Sequence, residues 1–193
     1  MLLNIHQLQN KNMGKDFLKK IIKIKFLKYF FIICLYFFNF TEIAYTKPKK
    51  ETVLAMLEGR HWILKQKEFL NLGEGSDIIL IDIAGDTTLI NYLRFRAFEA
   101  LSLYATEITA NFLEDTAEKN ISSFALRGFE AFKNGFYKIK PKKVKRLATR
   151  LLKHPNVNIR ISAARTIKSI DTNIFKKFLK SEPNSWVRKE AQK

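Results

Sequence analysis

Cysteine is nearly absent from this chain of 193 residues, and glycine and proline are scarce. Cys34 is the only cysteine, so no disulfide can form within the chain and no cysteine-based metal site is possible. The counts of 7 Gly and 4 Pro argue against a turn-rich β protein. Hydrophobic residues make up 47% of the chain, which is enough for a packed core. We therefore expect a folded domain without covalent cross-links.

Acidic residues are scarce in the last third of the chain. Residues 133–193 contain 18 basic and 3 acidic residues, a net charge of +15, whereas residues 47–132 carry a net charge of −3. Residues 1–46 carry +5, so the net charge of +17 is unevenly distributed. The basic character belongs to the N-terminal segment and the last third, where it predicts an anionic partner.

The N-terminal segment has the layout of a secretory signal peptide. Residues 29–41 carry no charge, six lysines lie within residues 15–28 just before them, and small side chains at Ala44 and Thr46 fit a cleavage before Lys47. The run is shorter than the roughly 18–20 residues that span a bilayer. We expect residues 1–46 to be a signal peptide or targeting segment, and the protein to be exported to the periplasm or cell envelope. If the segment is not cleaved, the charge-free run at residues 29–41 would anchor the protein in the membrane.

A short pattern recurs from residue 93 onward: an aliphatic residue, then Arg, two other residues and Ala. A degenerate copy begins at Phe124, and the four copies begin 31, 35 and 28 residues apart. Such recurrence is typical of stacked repeats. The predicted repeat anchors are Leu93, Arg94 and Ala97; Ile159, Arg160 and Ala163; and Val187, Arg188 and Ala191.

Apolar spacing around these anchors predicts helices. Ile159, Ala163, Ile167 and Ile170 recur at i, i+4, i+8 and i+11, which is helix periodicity. A second amphipathic stretch precedes each anchor helix. We expect Asn156, Asn184 and Asp171 to cap helices, and Pro141 to open one. Turn residues predict breaks at residues 73–75, 85–86, 134–135, 154–156 and 182–184.

The anchor pattern, with Pro-Asn ahead of Arg160 and Arg188, resembles HEAT repeats over about residues 76–193. The resemblance implies an all-α fold, an α-solenoid of antiparallel helix pairs with about four repeats, the last one truncated. In such repeats the Arg commonly pairs with an acidic residue of the turn. Here His154 and Asn156 stand in the acidic places before Arg160, and only Glu182 supplies a carboxylate, before Arg188. The ladder is therefore expected either to use amide and imidazole groups or to be absent.

Residues 47–75 are interpreted as two atypical capping helices that cover one face of the first repeat. Trp62 and Trp186 are expected to be core anchors. Acidic side chains such as Asp77 and Glu114 are expected to be solvated on polar helix faces.

A basic strip in the last third is the candidate partner-binding site. On a helix that begins near Pro141, its cations fall opposite or beside the apolar stripe, so it is either a solvated face or a contact surface. An acidic protein is the expected partner, with an anionic membrane or envelope surface as an alternative. The strip comprises Lys142, Lys143, Lys145, Arg146, Arg150, Lys153, Arg165 and Lys168.

No catalytic constellation emerges from the sequence. Its three His residues are far apart and no His-Glu pair exists, so the metal-binding hydroxylases built on HEAT-like repeats are not matched. The loop at residues 73–75 lacks the lysine of a phosphate cradle. We expect no cofactor, no metal and no enzymatic activity.

The resulting hypothesis is an exported, non-catalytic scaffold that binds another protein. The first alternative is a nucleic-acid-binding protein similar to the DNA-repair glycosylases that use HEAT-like repeats; the basic last third favours it and the export signal opposes it. A lyase or hydroxylase on a HEAT-like scaffold is the second, and the residues that it would need are missing.

Export can be tested directly by cell fractionation and mass measurement of a C-terminally tagged chain. We expect the tagged protein in the envelope fraction, with a mass that corresponds to a first residue of Lys47. A full-length mass in the same fraction would favour the uncleaved anchor. Recovery of the full-length chain from the cytoplasm would contradict export.

Overall fold

The apolar residues that recur at helical spacing lie on the inward faces of ten α-helices in the computed structural model, which describes residues 47–119 and 123–193. No strand occurs within these residues, so the all-α prediction is confirmed. The helices are α1 (Lys50–Leu57), α2 (Gln66–Leu70), α3 (Ser76–Gly85), α4 (Asn91–Leu101), α5 (Glu107–Lys119), α6 (Ser123–Phe136), α7 (Pro141–Leu151), α8 (Val157–Ile170), α9 (Thr172–Ser181) and α10 (Ser185–Gln192).

The predicted targeting segment, residues 1–46, lies outside the described residues. The helices that the structure does describe include none with the length and apolar character needed to cross a membrane.

Helices pack mainly against close neighbours in the chain. α3 packs against α4, α5 against α6 and α7 against α8. Contacts also join helices two positions apart: α1 to α3, α3 to α5 and α5 to α7 in one series, and α4 to α6, α6 to α8 and α8 to α10 in the other. α9 packs against α8. Each apolar stripe is therefore covered by the adjacent helices.

The core consists of these covered stripes. In α8, Ile159, Ala163 and Ile167 are completely buried, as their spacing predicts. α6 adds Phe132 and Phe136, whose stacked rings have centroids 5.0 Å apart. Burial of each of these isoleucine and phenylalanine side chains contributes about 1.5–3 kcal/mol to the free energy of folding, so helix pairing is driven mainly by them.

Polar caps begin the last helices at the predicted positions. The Asn156 side chain accepts a hydrogen bond from the backbone N–H of Asn158 at the start of α8. Asn184 and Asp171 each accept two backbone N–H groups, at the starts of α10 and α9. Pro141 is the first residue of α7, where its missing N–H costs nothing. These four predictions are confirmed.

Two short helices, α1 and α2, lie within residues 47–75, as predicted. Val53 and Leu57 of α1 and Phe69 of α2 are buried, and α1 packs against α3 and α4. Between them, the Trp62 indole N–H donates to the carbonyl of Met56 at 2.8 Å. The role of these helices as a terminal cap stays a prediction.

The predicted break at Asn134 and Gly135 is wrong, because α6 continues through both residues to Phe136. A Cβ atom at position 135 would lie 2.7 Å from the carbonyl oxygen of Ser102, at the end of α4. Glycine is therefore needed for close helix contact here rather than for a turn.

The prediction that Trp186 anchors the core is also wrong, because half of its surface is exposed. Val187, the next residue, is fully buried. Adjacent residues of a helix point about 100° apart, so the anchor position faces α8 and the tryptophan does not.

The packing role of Gly135 predicts an unusual response to alanine. Gly135→Ala should lower the free energy of unfolding by about 1–3 kcal/mol, because the added methyl group meets backbone that cannot rotate away. Gly85→Ala, at the end of α3 with open space around the new Cβ, should be neutral or stabilising by up to about 1 kcal/mol. Urea unfolding of both variants measures the difference. Equal stability of the two variants would contradict the assigned contact.

Candidate functional site

The predicted repeat anchors occupy equivalent positions near the starts of α4, α8 and α10. Leu93, Ile159 and Val187 are buried, and so are the alanines four residues after each of them, at positions 97, 163 and 191. The arginine after each anchor is partly exposed. In each of the three helices the aliphatic residue and the alanine therefore face the core, and the arginine lies at the surface.

Arg160 links two turns of the chain that are separated by α8 and α9. Its Nε and Nη2 atoms donate to the two carboxylate oxygens of Glu182 at 2.8 and 3.1 Å, a bidentate pair. Its Nη1 donates to the backbone carbonyls of His154 and Pro155 at 2.9 and 3.0 Å. The arginine thus joins the turn before α8 to the turn before α10. The side-chain partner of Arg160 is therefore Glu182, in the turn before α10. From the sequence, only His154 and Asn156, in the turn before α8, were candidate partners.

The Glu182 carboxylate is held as a charged group inside the protein. Its side chain is 3% exposed and that of Arg160 is 15% exposed. Burial by itself raises the pKa of a carboxyl group, but the Arg160 hydrogen bond, the Asn184 N–H and the charges of Arg160 and Arg188 hold the pKa of Glu182 below its usual value.

The other two anchor arginines make related contacts. Arg188 Nη1 donates to the carbonyls of Glu182 and Pro183 at 2.5 and 3.0 Å, which repeats the pattern of Arg160. Arg94 Nε donates to the carbonyl of Ala84 at 3.1 Å, and its guanidinium lies 4.1 Å from the centroid of the Phe124 ring. These contacts join helix ends and give the arginines structural roles.

The basic strip is divided into cations that pair within the protein and cations that do not. Lys143 Nζ donates to Glu107 at 2.6 Å, and Arg150 forms ion pairs with Glu114 and Glu118. These three carboxylates belong to α5, so the ion pairs join α7 to α5.

Lysine contacts strongly acidify Glu107. Hydrogen bonds from Lys140 and Lys143, together with their charges, lower the pKa of Glu107 to about 2. At the other side of α7, Lys145 lies 2.8 Å from Asp171, the capping residue of α9. These lysines are therefore committed to contacts between helices.

The predicted cations on α8 contact the end of α10. Arg165 donates to the carbonyl oxygen of Glu190 at 2.9 and 3.0 Å, and Lys168 donates to the carbonyl of Gln192 at 2.5 Å. The carbonyl groups of the last helical turn have no hydrogen-bond donor within the helix, so basic side chains that donate to them stabilise the helix end. Both residues thereby position α10.

Three members of the strip remain outward and form no ion pair among the described residues: Lys142, Arg146 and Lys153. They follow one another at spacings of 4 and 7 along α7 and just past its end, so they lie on one face. That face is opposite the buried stripe of Val144 and Leu147. On α9, three further lysines are exposed: Lys176, Lys177 and Lys180. We call these six cations the outer basic surface.

Sequence reasoning missed the acidic partners of the strip. Glu107, Glu114 and Glu118 are spaced by 7 and 4 residues, which places them on one face of α5 and could have revealed a paired row. Glu114 was expected to be solvated, but its side chain is only 15% exposed. Asp77 was also expected to be solvated, yet it is buried and accepts a hydrogen bond from the Thr106 hydroxyl at 2.8 Å.

Two clefts in the described part of the protein are lined by both apolar and charged side chains, and His61 and Glu68 are among those of the first. One, with a volume of about 470 Å³, lies beside Trp62 and Phe69. A second, of about 280 Å³, is lined by Phe95, Arg127 and Glu130, and Glu130 pairs with a lysine in its own helix. Within residues 47–119 and 123–193 no three His, Cys, Asp or Glu side chains are grouped as metal ligands.

Comparison of the chain with family models, with curated proteins and with solved structures gave no significant match.

The buried pair predicts a pH-dependent loss of stability in the Glu182→Gln variant. At pH 7 the variant should lose about 3 kcal/mol of unfolding free energy, because Arg160 is left partly buried without a countercharge. A lowered folded-state pKa means that Glu182 stabilises the fold above the ordinary pKa of 4.5, and that this contribution disappears as pH falls through the folded-state value.

Urea unfolding across a pH series measures the effect, with Glu58→Gln as the control because Glu58 is exposed. The difference in unfolding free energy between the native chain and Glu182→Gln should become smaller below pH 4.5. A difference that is absent at pH 7, or that is the same at every pH, would contradict the pairing.

Proposed function

We propose that this protein is a HEAT-like α-solenoid that acts as a non-catalytic scaffold in the cell envelope. In this proposal the outer basic surface binds an acidic surface of another protein. The repeat architecture gives the scaffold its rigidity, and the unpaired cations give it its preference for a negatively charged partner.

The order of helix contacts supports the solenoid. Two series of helices, one through α1, α3, α5 and α7 and one through α4, α6, α8 and α10, pack successively, as stacked repeats do. The anchors Leu93, Ile159 and Val187 begin helices of the same series and are all buried. The ion pair of Arg160 with Glu182 between successive turns agrees with the ladder of HEAT repeats.

The function rests on one observation: the cations of α7 are sorted by what faces them. Those that face α5 or α9 pair with carboxylates, whereas Lys142, Arg146 and Lys153 point away from the fold. An acidic partner could approach these three without displacing an internal ion pair. Complementary charge would speed encounter and discriminate against basic proteins.

The envelope location rests on the charge-free run at residues 29–41 and the lysines before it. An exported chain would meet other envelope proteins rather than the genome. Lys142, Arg146 and Lys153 could also contact successive phosphates of a nucleic acid, and nucleic-acid binding is the second candidate function.

Site-specific photocrosslinking in cells tests the scaffold proposal. A photoreactive amino acid at position 142 should give adducts that are protease-sensitive and nuclease-resistant. The charge reversal Arg146→Glu with Lys153→Glu should reduce their yield about tenfold, because like charges then face the acidic partner. Lys49→Glu with Lys67→Glu changes two exposed lysines near α1 and α2 by the same total charge and should leave the yield unchanged.

Three results would count against the proposal. Adducts that disappear with nuclease would favour the nucleic-acid alternative. An equal loss of yield in both double variants would indicate that only net charge matters. A complete lack of adducts at position 142 in the envelope fraction would exclude this surface as the binding face.

A further inference from the structure

Hydrogen bonds bring the N-terminal ends of α3, α5 and α7 to one edge of the fold. The Thr106 hydroxyl, just before α5, donates to the Asp77 carboxylate in the first turn of α3 at 2.8 Å. Lys140, just before α7, and Lys143 donate to Glu107, the first residue of α5, at 2.5 and 2.6 Å. The three helix starts are therefore neighbours.

Exposed isoleucines accompany these contacts. Ile78 follows Asp77, Ile108 follows Glu107, and Ile139 precedes Lys140, and their exposed fractions are 46%, 58% and 62%. Each is next in sequence to a residue that forms one of the contacts, so the three lie along the same edge. A single exposed aliphatic side chain is ordinary, but a row of partly exposed ones indicates an interaction surface.

The turn between α6 and α7 adds an aromatic residue and free cations to this edge. Tyr137 is partly exposed, and its hydroxyl lies 3.4 Å from the Ser169 hydroxyl near the end of α8. Lys138 and Lys142 are exposed and form no ion pair among the described residues. We call the exposed residues of this region the turn edge: Ile78, Ile108, Tyr137, Lys138, Ile139 and Lys142.

The charge of the turn edge is positive at its α7 end. The Glu107 carboxylate is neutralised by Lys140 and Lys143. Glu74, the exposed carboxylate just before α3, lies at the far end of the row. Lys138 and Lys142 thus flank Ile139, the most exposed isoleucine of the row, and neither forms an ion pair among the described residues.

We propose that the turn edge binds an anionic lipid surface, a property that goes beyond the scaffold function. The isoleucines and Tyr137 would enter the headgroup layer, and Lys138 and Lys142 would contact lipid phosphates. Tyrosine and lysine suit this boundary because each has an apolar body and a polar end.

The form of the edge favours a lipid surface over a shaped protein partner. Its apolar side chains come one from each helix pair, and packed helices lie about 8–10 Å apart. The exposed isoleucines are therefore spaced along the edge by about the distance between packed helices. A fluid layer of anionic headgroups accommodates separated apolar groups and adds electrostatic attraction to the lysines.

The opposite edge provides matched controls. Ile90 is half-exposed just before α4, and because α3 begins at the turn edge, α4 begins at the other one. Lys153 and Lys180 are exposed at the ends of α7 and α9, which also lie at that edge.

Depth-sensitive fluorescence on the full chain tests the proposal. An environment-sensitive dye is attached at position 139 of an Ile139→Cys chain, with Cys34→Ser to remove the other thiol. Vesicles contain phosphatidylcholine with or without an equal part of phosphatidylglycerol, and a headgroup-level nitroxide lipid is the quencher. The control dye is attached through Ile90→Cys in the same background.

We expect the dye at position 139 to be quenched on anionic vesicles and not on neutral ones, and the dye at position 90 to remain unquenched. The double variant K138E/K142E should weaken partitioning of the edge about tenfold, whereas K153E/K180E, with the same change in net charge, should not.

Other results would overturn the proposal. Equal quenching at positions 139 and 90 would mean that vesicle binding comes from the N-terminal apolar run or from net charge alone. Quenching at position 139 on neutral vesicles would show that binding does not require an anionic lipid, which contradicts the proposal. No quenching at position 139 on anionic vesicles would exclude insertion of the turn edge.

Discussion

Coverage of one-sided helices by their neighbours is the constraint on which this structure depends. The described helices have between 5 and 14 residues, and isolated helices of that length are marginal in water. Their stability comes from apolar stripes that adjacent helices cover, such as the stripe of Ile159, Ala163 and Ile167 in α8. Small residues at the contact points matter as much as large ones. A Cβ atom at Gly128, for example, would lie 3.1 Å from the carbonyl oxygen of Leu113 in α5, so the two helices would have to shift slightly to accept it.

Ion pairs help to determine how the helices are aligned, but they contribute less to stability than apolar burial does. The pairs of Lys143 with Glu107 and of Arg150 with Glu118 are partly exposed, so each contributes little, because water screens them and side-chain entropy opposes them. The pair between Arg160 and Glu182 differs, since both side chains are largely buried and every polar contact must be made within the protein. We infer that apolar burial holds the helices together, whereas the buried pair fixes how successive turns are aligned.

Local features of the fold could be predicted from the sequence, and features that depend on register between helices could not. Periodicity gave the helices around Leu93 and Ile159, and the caps at Asn156 and Asp171 followed from residue type and position. The carboxylate partner of Arg160 was missed, because Glu182 is 22 residues away and the pairing depends on how α8 and α10 are aligned. Glycine at position 135 was misread for the same reason, since its close neighbour is a carbonyl in a different helix.

Because many cations are paired within the protein, its net charge is a poor guide to the charge that a binding partner meets. A charge of +15 over residues 133–193 suggests a strongly basic surface, but Lys143, Lys145 and Arg150 are occupied by carboxylates. At physiological ionic strength a charge acts over about 8 Å, which is half the length of α7 at about 1.5 Å per residue. A partner therefore senses the few unpaired cations near its contact, such as Arg146, rather than the total. Affinity for an anionic surface should then depend on which face of the protein is presented to it.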